Sequence, residues 1–220
     1  MESVNTRRRY DSSGRQEQAR RSREAVLDAA QRLFLDQGYA ATTIAEIART
    51  AGVSVETIYK GFGSKKGLLR EAMGVAVVGD SEPIPYAERA EFKALGEGSL
   101  DERIARGCEL VTTIHERSAG VWQAIVEAAG ADPEIAAWRL EMEQARRLDT
   151  HRSVALILGS DPEDELITML WVLYSPETYL KLINDAGFTR AEYAELIVDA
   201  TRRLAGVGAA RSGRTRRRLA

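Results

Sequence analysis

Thr43-Ile44-Ala45-Glu46-Ile47-Ala48-Arg49-Thr50-Ala51-Gly52-Val53-Ser54-Val55-Glu56-Thr57-Ile58-Tyr59-Lys60 holds two helix starts and one helix stop. Thr43 followed by Glu46 is a capping-box pattern: the hydroxyl accepts from the N3 amide and the glutamate reaches back to the cap. Ile44, Ile47, Ala48 and Ala51 share one stripe of a short helix, and Gly52 ends it. Ser54 caps the next helix, which buries Ile58 and Phe62 and closes at Gly63. Two short helices joined by a glycine turn, after a longer one, predict a helix-turn-helix. The turn sets the second helix steeply, so that it enters a groove about 12 Å wide. Its outer residues are Val55, Glu56, Thr57, Tyr59 and Lys60.

Upstream, Val26, Ala29, Ala30, Leu33 and Phe34 form the apolar stripe of a longer helix that begins near Gln18 and stops at Gly38. Residues 1–17, with Arg7, Arg8 and Arg9, read as a disordered basic arm. Downstream, Ser64 caps a fourth helix with Leu68, Leu69, Ala72, Met73 and Ala76 inward. Residues 79–99 are a connector containing Pro83, Pro85 and a short helical stretch near 86–94.

The remainder is also helical. Ile104, Cys108, Val111 and His115 line a helix over about 100–118, and Val121, Trp122, Ile125, Val126 and Ala129 form a shorter one. Asp132-Pro133-Glu134 opens a long helix to about Leu158, and Asp161-Pro162-Glu163 repeats that start signal. Residues 166–174 are apolar nearly all round, which predicts a helix buried on most sides. Pro176 either kinks that helix or starts a new one after Ser175. A last helix over 189–204 turns Tyr193, Leu196, Ile197, Ala200 and Leu204 inward. The expected organisation is all-α: arm 1–17, helix-turn-helix domain 18–78, helical ligand-binding and dimerisation domain 79–205, and a disordered basic tail 206–220.

Composition narrows the function. The 220 residues are 44% apolar and 29% charged, an ordinary globular balance. One cysteine excludes a disulfide framework and a Cys-rich zinc site and fits a cytoplasmic protein. No apolar run reaches the roughly 18 residues needed to cross a bilayer, and Met1-Glu2-Ser3-Val4 lacks the order of a signal peptide. Charge is segregated: residues 1–70 carry 13 Lys/Arg against 8 Asp/Glu, and residues 71–210 carry 13 against 25. The last ten carry five arginines and no acid. A basic head on an acidic body suits a nucleic-acid-facing head. Catalysis finds no support. His115 and Cys108 stand seven residues apart, about 10 Å along a helix, too far for a nucleophile–base pair. Neither histidine belongs to a His-Glu-x-x-His motif, and Gly61-Phe62-Gly63 is not a phosphate loop. The chain is therefore expected not to be an enzyme and to carry no cofactor or metal.

Residues 38–48, Ala51-Gly52-Val53-Ser54, Thr57-Ile58-Tyr59, Phe62, Ser64-Lys65 and Leu68-Leu69 resemble the N-terminal domain of TetR-type (TetR/AcrR) transcriptional regulators. The resemblance covers about residues 22–75. It implies a repressor that binds palindromic double-stranded operator DNA as a homodimer and is released by a small-molecule effector. Within it, Thr43 and Ser54 serve as caps whose hydroxyls and free amides also face phosphate. Val55 is placed to touch a thymine methyl, and Glu56 to accept from cytosine N4. Thr57 lies on the same outer face. Tyr59 and Lys65 resemble the family's phosphate-binding tyrosine and lysine, and Lys60 points to base or phosphate. Arg20, Arg21 and Arg23 are candidates for flanking phosphates, while Lys66 adds only field. Glycines at 61 and 63 depart from the family pattern, so the end of the reading helix is expected to order only on DNA.

The resemblance also implies that the last two long helices, about 162–185 and 189–204, form the dimer interface. His115, Trp122, Trp138, Met142, Met169, Trp171 and Tyr174 are the candidates for a mainly apolar effector site, with His115 its polar contact. The competing expectation is a helical small-molecule-binding or interaction module without operator function.

Overall fold

The computed structural model describes residues 6–82 and 84–206, with side chains from Gly14 onward. The side chains of Arg7, Arg8 and Arg9, Pro83 and the tail from 207, with Arg216, Arg217 and Arg218, lie outside the described residues. All regular structure among the described residues is helical, and the chain divides into two compact units: residues 1–88 with 113–146, and residues 89–112 with 147–220.

The first unit opens with α1 (Thr6–Ala41). Helix therefore replaces the disordered arm expected as far as residue 17. Glu17 pairs with Arg20 and Arg21, and Arg20 with Glu24, at the i,i+3 and i,i+4 spacings that support an exposed helix. The stop at Gly38 is present as a break inside α1, with φ 77° and ψ 174°. The Glu127 carboxylate lies where a side chain at Gly38 would project.

Helix α2 (Ile44–Ala51) begins with a formed capping box: Glu46 N donates to Thr43 Oγ1 at 3.2 Å, and Thr43 N to Glu46 Oε2 at 3.0 Å. Gly52 closes it at φ 67°. Helix α3 (Val55–Phe62) is capped by Ser54, which accepts from Thr57 N at 3.2 Å. Helix α4 (Lys65–Val78) is capped by Ser64, which accepts from Gly67 N at 3.0 Å. Phe34, Ile47, Ile58, Leu68 and Leu69 pack in one core with Trp122, Ile125 and Ile135.

Gly67 has a role the sequence does not announce. A methyl placed there would drive into the Phe62 carbonyl oxygen, a main-chain atom that no rotamer change can move. Gly74, in the same helix, has nothing within 4 Å of that position. Gly67→Ala is therefore expected to cost about 1–3 kcal/mol, and Gly74→Ala to gain up to about 1 kcal/mol. Thermal melts of the two variants check this; two midpoints rising together would contradict it.

Helices α5 (Ala90–Lys93) and α6 (Leu100–Ala129) follow the connector. The break expected between 118 and 121 is absent, and α6 runs through Gly120. The Leu35 side chain fills the space a Cβ at Gly120 would take, so this glycine serves close packing rather than termination. Arg117 donates to the carbonyls of Ala76 at 3.2 Å and Val77 at 3.0 Å, satisfying the end of α4. Helix α7 (Pro133–Leu158) starts as its sequence predicts, with Asp132 accepting from Glu134 N at 2.9 Å.

The second unit contains residues 100–112 of α6 and 147–158 of α7, then α8 (Asp164–Leu173), α9 (Pro176–Leu180), a π-helical stretch Lys181–Asp185 and α10 (Arg190–Leu204). Asp161 does not cap a helix: its carboxylate faces His151 Nε2 at 3.2 Å, and α8 starts only at Asp164. Pro176 starts a new helix instead of kinking an old one. Ser175 caps it by accepting from Thr178 N at 3.1 Å, and Thr178 Oγ1 returns a bond to the Val172 carbonyl at 2.9 Å.

The expected all-round burial of 166–174 fails for the single chain. Ile167 and Leu170 are buried, but Met169 is 44% and Val172 54% exposed. On α10 the inward residues are Tyr193, Ile197 and Thr201, while Leu196 and Leu204 stay exposed. Thr201 takes an inward place because a polar cluster receives it. Its hydroxyl donates to the Ile197 carbonyl at 2.6 Å and meets Tyr174 Oη at 2.5 Å and Cys108 Sγ at 3.7 Å. Burial pushes the Cys108 thiol and the Tyr174 hydroxyl up, so both stay protonated at neutral pH.

Candidate nucleic-acid interface

Helix α3 has an inner and an outer side. Ile58 and Phe62 are buried, and Val55 is half-buried against the same core. Glu56, Thr57, Tyr59 and Lys60 are exposed, Tyr59 by 52% although it is a large aromatic. Burying two residues four positions apart on an eight-residue helix leaves the opposite face free.

The helix starts around it are exposed and chemically busy. Thr43 Oγ1 donates to Glu46 Oε2 at 2.9 Å, and Ser54 Oγ lies 3.0 Å from Thr57 Oγ1. Glu56 is held below the usual carboxylate range by its own backbone N–H and then by the Ser54 hydroxyl, so it is ionised at neutral pH.

The cations are less free than the sequence suggests. Lys65 donates to the Tyr39 carbonyl and sits 4.1 Å from the centroid of the Tyr39 ring. Burial pulls its pKa down, against the carboxylates of Glu127 and Glu46. Lys66 pairs with Glu134 and, at 3.3 Å, with Asp132, so its charge is met within the first unit. Arg20 and Arg21 engage Glu17 and Glu24 while remaining exposed.

Arg23 turns inward. It pairs with Glu71, donates from Nη1 to the Gly61 carbonyl at 3.4 Å, and lies 4.6 Å from the Phe62 ring centroid. The last turn of α3 is formed without DNA, contrary to the expectation drawn from its glycines. Gly63, at φ 72°, acts as the helix stop, its N–H donating to the Tyr59 carbonyl at 2.9 Å. Gly67 and Arg117 are residues that sequence reasoning did not place, and Arg23, expected at flanking phosphates, is engaged instead by Glu71, Gly61 and Phe62. A glycine–aromatic–glycine run signals an under-packed helix end, but nothing local tells which distant cation closes it.

The candidate effector residues fall in both units. In the first, Trp122 is 2% exposed inside the core, and His115 is 4% exposed. Burial and the nearby Arg146 charge push His115 down to about 3, so it is neutral at physiological pH. Trp138 carries the Arg70 guanidinium 5.0 Å from its ring centroid and, with Met142, borders the core. In the second unit Met169 faces outward, Trp171 is half-buried and Tyr174 belongs to the Cys108–Thr201 cluster. No helix among the described residues is long and apolar enough to cross a membrane.

Comparisons with known proteins point the same way as α3. The sequence profile of the bacterial regulatory proteins of the tetR family matches residues 26–72. The HTH-type transcriptional regulator AlkX of Mycobacterium tuberculosis is 48% identical over 46 residues, 21% of this chain and 22% of that protein. The HTH-type transcriptional regulator BetI of Rhizobium meliloti is 30% identical over 152 residues, 69% of this chain and 65% of that protein. The matches thus span less than two thirds of these relatives' own length. Among solved structures, NalD, the secondary repressor of the MexAB-OprM multidrug efflux pump in Pseudomonas aeruginosa, superposes with a TM-score of 0.60 at 20% identity. That match covers 85% of this chain and 96% of NalD. A transcriptional regulator from Aquifex aeolicus VF5 gives 0.59 at 15% identity, over 83% of this chain and 99% of its own. At these identities the structural likeness speaks for the fold.

Proposed function

We propose that the chain, whose residues 26–72 match the bacterial regulatory proteins of the tetR family, is a ligand-responsive transcriptional repressor. It binds palindromic operator DNA as a homodimer and is released by a small, mainly apolar effector. Residues 18–78 are the DNA-binding domain, and 79–205 serve ligand binding and dimerisation. The observation that carries this reading is the outward face of α3, with Glu56, Thr57, Tyr59 and Lys60 exposed over a buried Ile58.

On DNA, Val55 and Glu56 in the first turn of α3 meet base edges, the glutamate as acceptor for cytosine N4. Thr57 and Lys60 extend that surface. Thr43, Ser54, Tyr59 and Lys65 hold phosphates, and Lys65 exchanges the Tyr39 carbonyl for a phosphate oxygen as it docks. The exposed Met169, Val172, Leu196 and Leu204 of the second unit support a partner subunit packing on α8 and α10. The effector acts by population shift, favouring a state in which the two α3 helices miss successive major grooves about 34 Å apart.

Selection of bound duplexes from a random pool tests the reading. A palindrome with half-sites one helical turn apart is expected. Its affinity is expected to fall about 10³–10⁵-fold between 50 and 200 mM salt if six to ten phosphates are neutralised. No enriched duplex, or salt-independent binding, would leave the helical ligand-binding module without operator function as the better account.

A further inference from the structure

We propose that Arg23 is a positioning residue for the DNA-reading helix and not a phosphate contact. The proposal deepens, and rests on, the DNA-binding reading of α3.

Helix α3 has eight residues, too few to be stable alone. Gly61 weakens its last turn further, since glycine is about 1 kcal/mol poorer than alanine inside a helix. In that turn the Tyr59 carbonyl accepts from the Gly63 N–H and the Phe62 carbonyl from the Ser64 N–H, while the Gly61 carbonyl lies past the last donor of the helix itself. Arg23, reaching over from α1, supplies what is missing. Its Nη1 donates to the Gly61 carbonyl at 3.4 Å, its guanidinium covers the Phe62 ring, and Nη2 pairs with Glu71 on α4. One planar cation thereby joins α1, the end of α3 and α4, and a cation at a helix C-terminus is also favoured by the dipole. Only an arginine presents a fork that serves a carbonyl, an aromatic face and a carboxylate together.

Two consequences follow for DNA reading. Lys60 sits in the turn that Arg23 holds, so its direction toward the base edges depends on it. Glu71 also neutralises the guanidinium, which removes it from the set of charges offered to phosphate.

The test compares wild type with Arg23→Ala, Arg23→Lys and Glu71→Gln, using the full chain, the selected palindrome and a scrambled duplex of the same length. In Arg23→Ala, operator affinity is expected to fall about tenfold. Scrambled-duplex affinity and the slope of log affinity against log salt stay unchanged. Arg23→Lys keeps the charge but not the fork, and remains weak. Glu71→Gln shows a smaller loss of the same kind. A phosphate contact predicts the opposite: the slope shrinks by about 0.9 for each phosphate lost, both duplexes weaken equally, and Arg23→Lys restores binding. That pattern overturns the proposal. Hydrogen exchange without DNA gives an independent readout. The amides of Gly61, Phe62 and Gly63 are expected to exchange faster in Arg23→Ala while those of α2 do not change; unaltered exchange at 61–63 also overturns it. A wild type that binds no duplex would fail the DNA-binding reading, while the exchange measurement still decides the clamp.

Discussion

Trp122→Ala is expected to cost about 3–5 kcal/mol, the range for deleting a buried large aromatic. Trp122 is among the largest fully enclosed side chains and packs in the core that also holds Phe34, Ile47, Ile58 and Leu68. Against a typical total of about 5–15 kcal/mol, such a loss leaves much of the chain unfolded at moderate urea. Urea denaturation followed by circular dichroism measures it directly. The size of the effect separates two roles for this residue. A tryptophan lining a solvent-filled effector pocket would lose little when truncated, and a cost under about 1 kcal/mol would return Trp122 to the binding site. The structure assigns it to the core.

Val172→Lys is expected to separate the proposed homodimer into folded monomers and lower operator affinity about 10²–10⁴-fold, the advantage that two linked heads have over one. Val172 is exposed in the single chain, so lysine there does not disturb the monomer core. It lies in the last turn of α8, where a cation is tolerated by the helix dipole. In a two-fold interface the substitution places like charges on both partners. Sedimentation velocity reads the oligomeric state, and a duplex-binding titration reads the affinity. A dimer of wild-type stability with intact operator binding would remove α8 from the interface. Ile197 is unsuited to this test although the sequence marks it: it is fully buried in its own subunit. A charge there would unfold the chain, and loss of the dimer would then say nothing about the interface.

The bounds of α2, α3 and α4 were legible in the sequence to within a residue or two, whereas α1 begins at Thr6 and not near Gln18. Thr43, Ser54 and Ser64 cap helices where their spacing places them. Gly52 stops α2, and the inward stripes of α2, α3 and α4 are buried as their periodicity requires. The C-terminal half was less legible. Its α10 stripe admits two neighbouring registers, and Leu196 was grouped with Ile197 although only Ile197 faces in. A threonine on the inner face broke the apolar pattern, because Tyr174 and Cys108 were there to satisfy it.

Sequence alone determined the capped starts of α2, α3 and α4, the pairing of two short helices across Gly52 and the segregation of basic head from acidic body. A cap and the amide that donates to it lie three residues apart, so local spacing contains the whole interaction. Tertiary structure alone decided that α6 continues unbroken through Gly120, that Pro176 begins a helix behind Ser175, and that Arg23 on α1 reaches the end of α3. It also decided which apolar residues of α8 and α10 remain uncovered. Each of these depends on a neighbour tens of residues away or on the far face of the same helix, and the three-dimensional path of the chain sets which neighbour arrives.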